Sequence, residues 1–93
     1  MIVGILTAVL RMPQNSSLKE KRMVIKGLKD KIRDRFNVSI AEIDDQDKWQ
    51  VATFAIAYVG TDKAHVDSAL SKVANFIKDY RQVDLLNYNT QLL

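Results

Sequence analysis

The 93-residue chain has no cysteine, one proline, three glycines and one histidine. Without cysteine there is no disulfide framework, thiolate metal site or thiol nucleophile, and nothing speaks for an oxidising compartment. No apolar run approaches the roughly 20 residues needed to cross a bilayer, so no membrane partner is expected. The opening Met1-Ile2-Val3-Gly4 lacks the basic lead and cleavage site of a signal peptide. A cytoplasmic location is the expectation. With so little proline and glycine there are no linkers, repeats or low-complexity stretches, and a chain of this length holds a single domain over residues 1–93. Apolar types at 47% suffice for a packed interior, and 27% charged residues are normal for a folded domain.

The formal charge of +3 is unevenly placed. Residues 19–35 hold eight cations (Lys19, Lys21, Arg22, Lys26, Lys29, Lys31, Arg33, Arg35) against three anions (Glu20, Asp30, Asp34), a net of +5. The rest of the chain carries six cations and eight anions, a net of −2, with the acids densest at Glu42, Asp44, Asp45 and Asp47.

Residues 2–12 are aliphatic or β-branched on both parities, with Ile2, Leu6, Ala8 and Leu10 on one and Val3, Ile5 and Val9 on the other. Such a strand is expected to be covered on both faces. Pro13-Gln14-Asn15-Ser16 then breaks it. Ser17 and Glu20 have the spacing of a capping box, opening a helix to about Arg35. Leu18, Val24, Ile25, Leu28, Ile32 and Phe36 form its core stripe. Lys21 falls inside that stripe, so it must snorkel or find a partner. Asn37 is the expected terminator.

Val38–Ile43 reads as a strand, Asp44–Lys48 as a polar turn and Gln50–Val59 as the second strand of a β-hairpin, again apolar on both parities. Gly60-Thr61-Asp62 introduces a second helix over about 62–80, with Val66, Ala69, Leu70, Val73, Phe76, Ile77 and Tyr80 on one face. A last strand, about 83–93, carries Leu85, Leu86, Tyr88, Leu92 and Leu93. The order βαββαβ in one α+β domain predicts a ferredoxin-like sandwich, with two helices on one face of a four-stranded antiparallel sheet and the first and third strands at its centre.

Two helices cover only one sheet face, yet the strands are apolar on both. Exposing Val3, Ile5, Val9, Val51, Ala55 and Val59, or the opposite set, leaves a patch larger than monomers usually show. A homodimer or higher homo-oligomer packed through that face is therefore expected, with uptake of a small apolar ligand as a further alternative and a mild, monomeric face, softened by Thr7, Ala55 and Ala57, as the plain one. Base stacking on the sheet is disfavoured, because the chain lacks paired aromatics in a central strand with the K/R-G-F/Y pattern of RNA-recognition motifs. Phe54 belongs to the core.

On the first helix Lys19, Arg22, Lys26, Lys29 and Arg33 recur at spacings of three and four, with no carboxylate between them. They occupy an arc of about 80° and a length of about 20 Å. Like charges at these spacings cost about 0.2–0.5 kcal/mol per pair. Such a row matches the phosphates of a nucleic-acid strand, with salt-dependent, weakly sequence-selective binding. These five are the candidate nucleic-acid-binding residues, set against the plain reading of a solvated helix face. A membrane-surface role is weaker, because the apolar side of this helix belongs to the core.

No catalytic, metal or cofactor constellation stands out. The turn Asp44-Asp45-Gln46-Asp47 lacks the glycine and distal glutamate of an EF-hand loop, and reads as a solvated turn. His65 stands alone. Ser16 and Ser17 are explained by capping, and although a helix N-terminus can hold an anion, no glycine-rich phosphate loop accompanies it. An acylphosphatase-type site needs a glycine-containing loop and an arginine after the first strand; here Arg11 precedes Pro13 and no glycine follows. Trp49 reads as a packing anchor, or as a contact site if exposed. The expectation is a protein that is not an enzyme.

Three stretches together resemble one family: Ser17-Leu18-Lys19-Glu20-Lys21-Arg22, Arg35-Phe36-Asn37-Val38-Ser39-Ile40-Ala41-Glu42 and Asp47-Lys48-Trp49-Gln50. In this order they are similar to the YlxP-like family of small bacterial proteins of unknown function, over essentially the whole chain. That resemblance implies the ferredoxin-like fold. Members are often encoded beside a translation initiation factor and ribosome-binding factor A, which implies RNA- or ribosome-linked work. Members often carry histidine and arginine where this chain has Asp45 and Val51, so a shared binding surface there would be less basic here. The expected function is a non-enzymatic binding protein that meets RNA or the ribosome through its first helix, or else a homo-oligomeric scaffold or ligand-sensing module acting through the open sheet face.

Overall fold

In the computed structural model, which describes residues 1–93, the chain runs β1 (Ile2–Arg11), α1 (Leu18–Arg35), β2 (Ser39–Asp44), β3 (Val51–Gly60), α2 (Lys63–Lys78) and β4 (Asp84–Leu92). The four strands form one antiparallel sheet in the order β2-β3-β1-β4. This is the ferredoxin-like α+β arrangement, with β1 and β3 in the middle.

Strand parity decides which residues meet the helices. Leu6, Ala8 and Leu10 of β1 and Ala52, Phe54 and Ile56 of β3 are buried beneath α1 and α2, together with Val24, Ile25, Leu28 and Ile32 of α1 and Val66, Leu70, Val73, Ala74 and Ile77 of α2. The other parity, Val3, Ile5, Thr7 and Val9 with Val51, Thr53, Ala55 and Ala57, faces away from the helices and is half-buried within the sheet itself. The opposite-set alternative is thereby decided. Val59, on the same parity at the end of β3, is 61% exposed.

Both helices begin with the expected caps. Ser17 Oγ accepts from the Glu20 N–H at 3.1 Å, and Asp62 does the same for His65 at 3.0 Å. The Glu20 carboxylate reaches Ser16 rather than the backbone of Ser17, accepting from Ser16 Oγ at 2.6 Å. At the other end α1 stops at Arg35, one residue before the expected limit of its stripe: Phe36 is already extended (φ −132°). Its ring turns edge-on to Phe76 of α2, with centroids 6.0 Å apart.

Two irregularities shape the edges. The β2–β3 register shifts between Glu42 and Asp44, leaving Ile43 as an extra, exposed residue. The β1–β4 register shifts between Val9 and Leu10, which leaves Leu86 unpaired in the same way. Of the apolar residues in β4 only Leu85 packs against the core; Leu86, Tyr88 and Leu92 are exposed, as is Leu93 just beyond the strand. No helix is long and apolar enough to cross a membrane.

Candidate nucleic-acid interface

The cationic row lies along α1 on the side away from α2. Lys19, Arg22, Lys26 and Arg33 are exposed and Lys29 is half-buried. Arg22, Lys26, Lys29 and Arg33 line a shallow groove of about 370 Å³ between α1 and β2, whose floor also includes Glu42 and Gln46 of the hairpin. Lys19 lies outside this groove. Four of the five residues are thus gathered by the helix onto one concavity, and the fifth extends the row towards the first turn.

The row is less free of acid than its helical phase suggests. Asp30 sits one turn beyond Lys26 and takes its ammonium at 2.8 Å. The Lys26 hydrogen bond, with the nearby charges of Lys26, Arg33 and Lys29, holds the Asp30 carboxyl below its ordinary titration range against an opposing desolvation. Arg33 donates from Nη2 to the Ile40 carbonyl at 3.2 Å, on the edge of β2. Lys19, Arg22 and Lys29 form no ion pair within the protein.

Beneath the groove is a residue whose phase in α1 already marked it. Lys21 is 1% exposed; its Nζ lies 2.9 Å from Glu42 Oε2 and donates to the Asp45 carbonyl. It pairs rather than snorkels. By doing so it ties the first turn of α1 to the β2–β3 turn and sets the width of the groove between them. Glu42 is the partner that sequence reasoning did not name, because its distance to Lys21 is set by how α1 lies across β2.

The acidic turn is occupied by its own neighbours. Asp45 takes a positive φ of 64°. Its carboxylate accepts from Thr53 Oγ1 at 2.9 Å and pairs with Lys48 at 3.1 Å. The Thr53 hydrogen bond first, then the one from Lys48, keeps this carboxyl ionised to lower pH than usual, and Asp45 in turn raises the Lys48 ammonium. His65 is exposed and shares a hydrogen bond of 3.0 Å with the Tyr58 hydroxyl. No three histidine, aspartate or glutamate side chains come together in a metal-binding arrangement. Trp49, expected to anchor packing, is instead 54% exposed; its backbone carbonyl, not its ring, takes part in the structure by accepting from Asn15 Nδ2 at 3.3 Å. The turn around it is polar and short, with no apolar layer to receive an indole.

Residues 3–90 match the protein family described as "Protein of unknown function (DUF503)". The chain belongs to this family. It is also similar to the uncharacterized protein YlxP of Bacillus subtilis (strain 168), with 40% identity over 68 residues that span 73% of this chain and 74% of that one. The DUF503 match covers all six secondary-structure elements almost entirely, including the whole of the basic helix and the hairpin it is pinned to.

Proposed function

We propose that this DUF503 protein is a non-enzymatic, cytoplasmic binding protein that engages structured RNA or the ribosome through the basic face of α1. The observation that carries the reading is the gathering of Arg22, Lys26, Lys29 and Arg33 on one groove, with Arg22 and Lys29 unpaired. Like charges gathered along one helix face repel one another, and a phosphodiester backbone relieves that repulsion.

The test is retention of the tagged protein on ribosomes and on RNA from cell lysate at low and high salt. Reversing Lys26, Lys29 and Arg33 to glutamate should abolish retention while circular dichroism remains unchanged. Because Lys26 and Arg33 also hold internal contacts, the pair Arg22→Glu and Lys29→Glu isolates the surface charge. For Arg22→Gln alone, the salt slope of binding should fall by about one. Unchanged binding in the reversed proteins would leave the row as a solvated helix face.

One observation favours a second reading, a homo-oligomeric scaffold or ligand-sensing module acting through the open sheet face. From Val3 to Val9 and from Val51 to Val59 the two central strands carry no charged residue. An aspartate at Ala55, in the middle of that face, would disperse such an assembly.

A further inference from the structure

The two edges of the sheet are treated differently. Along β2, Glu42 and Asp44 place charges on the strand, Ile43 bulges from it, and Arg33 covers the Ile40 carbonyl. Charges, bulges and covering side chains are the devices by which sheet edges avoid pairing with other strands. β4 has a bulge at Leu86 and, beyond it, none of the others. From Leu85 to Leu93 there is no charged residue and no proline. Three of its side chains, and Leu93 just beyond it, are exposed although apolar or aromatic: Leu86 at 55%, Tyr88 at 54%, Leu92 at 38% and Leu93 at 67%.

The direction of its backbone follows from one hydrogen bond. Leu93 N–H donates to the Val3 carbonyl at 2.8 Å. Backbone groups alternate sides along a strand, so Asn87, Asn89 and Gln91 turn towards β1, while Tyr88, Thr90 and Leu92 direct both N–H and C=O to the open edge. Three consecutive outward positions lie beyond the bulge, enough for a regular ladder.

We propose that β4 pairs with β4 of a second copy, antiparallel and centred on Thr90, making one continuous eight-stranded sheet. In this register Thr90 lies opposite the partner's Thr90. Tyr88 lies opposite the partner's Leu92, an aromatic–aliphatic pair on the helix side of the sheet. Asn89 meets the partner's Gln91 on the open side. The absence of charge selects a second copy over a foreign strand. In self-pairing centred on position 90, a charge there would face its own copy, and the uncharged Thr90 avoids this. A basic or acidic peptide would find no complementary charge on this edge. The two-fold axis stands perpendicular to the sheet, so both helix layers lie on one face and the two basic α1 helices lie near its outer ends, with the outermost strands about 34 Å apart.

This assembly is independent of the RNA reading and of packing through the open face, and the experiment separates them. The full chain at tens of micromolar is examined by sedimentation equilibrium, alongside Thr90→Pro, Thr90→Lys and Ala55→Asp. Proline at position 90 removes an outward donor while leaving the ladder to β1 intact. Lysine there sets like charges face to face. The expected result is a dimeric wild type and Ala55→Asp, with both Thr90 variants at half the mass and their circular dichroism unchanged. If Thr90→Pro does not fold, Thr90→Lys decides. Hydrogen exchange gives a second readout: the outward amide of Leu92 should exchange about tenfold or more faster in Thr90→Lys than in the wild type. A monomeric wild type overturns the proposal, as does a Thr90→Lys protein that stays dimeric. Dissociation by Ala55→Asp with persistence in Thr90→Lys would assign the interface to the open face instead.

Discussion

Lys21 shows how one side chain links a sequence anomaly to a surface. A lysine among Leu18, Val24, Ile25 and Leu28 departs from the apolar pattern of α1, and a buried ammonium without partners would be costly. Its pairing with Glu42, and its donation to the Asp45 carbonyl, meet that requirement. Removing one partner of such a pair leaves the other charge uncompensated. Lys21→Ala should therefore destabilise the protein by about 3 kcal/mol in urea unfolding, at the lower end of the 3–5 kcal/mol range because Glu42 keeps some solvent contact. Replacing both residues by apolar ones, Lys21→Met with Glu42→Leu, should recover most of that loss. If Lys21→Ala unfolds at the wild-type midpoint, the pair does not hold the hairpin to the helix.

Among the elements, the two helices make contrasting use of glycine. α2 sits directly over β1 and the end of β3, where Gly4 and Gly60 lie beneath Val66. A Cβ built on Gly4 would come within 2.5 Å of Val66 Cγ1 and 2.7 Å of Leu70 Cδ1. Gly4→Ala should cost about 1–3 kcal/mol through displacement of α2. Gly27, within α1, faces only the Tyr80 hydroxyl at 3.4 Å. Gly27→Ala should stabilise by up to about 1 kcal/mol, since alanine gains helix propensity at no steric cost. Thermal or urea denaturation of the two variants should move in opposite directions, and equal shifts would contradict this account of the helix packing.

At the scale of the whole molecule, one core of 18 buried residues draws on all the helices and on three strands, joined by Val83 just before β4 and by Leu85 packed against it. Unfolding should accordingly be a single transition at a fixed protein concentration. Far-UV circular dichroism, which follows the helices, and Trp49 fluorescence, which follows the β2–β3 turn, should give the same urea midpoint. An earlier Trp49 midpoint would show that the hairpin end opens on its own.

Element order, the core face of each helix and the clustering of charge on α1 were all legible in the chain, because helical and strand periodicities are local properties. Lys19, Arg22, Lys26, Lys29 and Arg33 share a face by helical geometry alone. Neighbours from other elements were not legible. The lining of the groove by Glu42 and Gln46 and the cover that Arg33 gives to Ile40 depend on how α1 crosses β2. Asp30 stood only one turn from Lys26, yet its bond depends on the side-chain conformations the helix adopts. The periodicity of the last strand does not say which of Leu85, Leu86, Tyr88, Leu92 and Leu93 reach the core. Strand position made the last four a surface, because β4 lies at an edge and one bulged residue changes which side chains reach the helices. The sequence by itself determined the α+β sandwich and a basic helix, since hydrophobic period and charge are written residue by residue. Only the tertiary structure decided which sheet face stayed open, which edge was guarded and which cations remained without a partner, because each depends on distances between segments far apart in the chain.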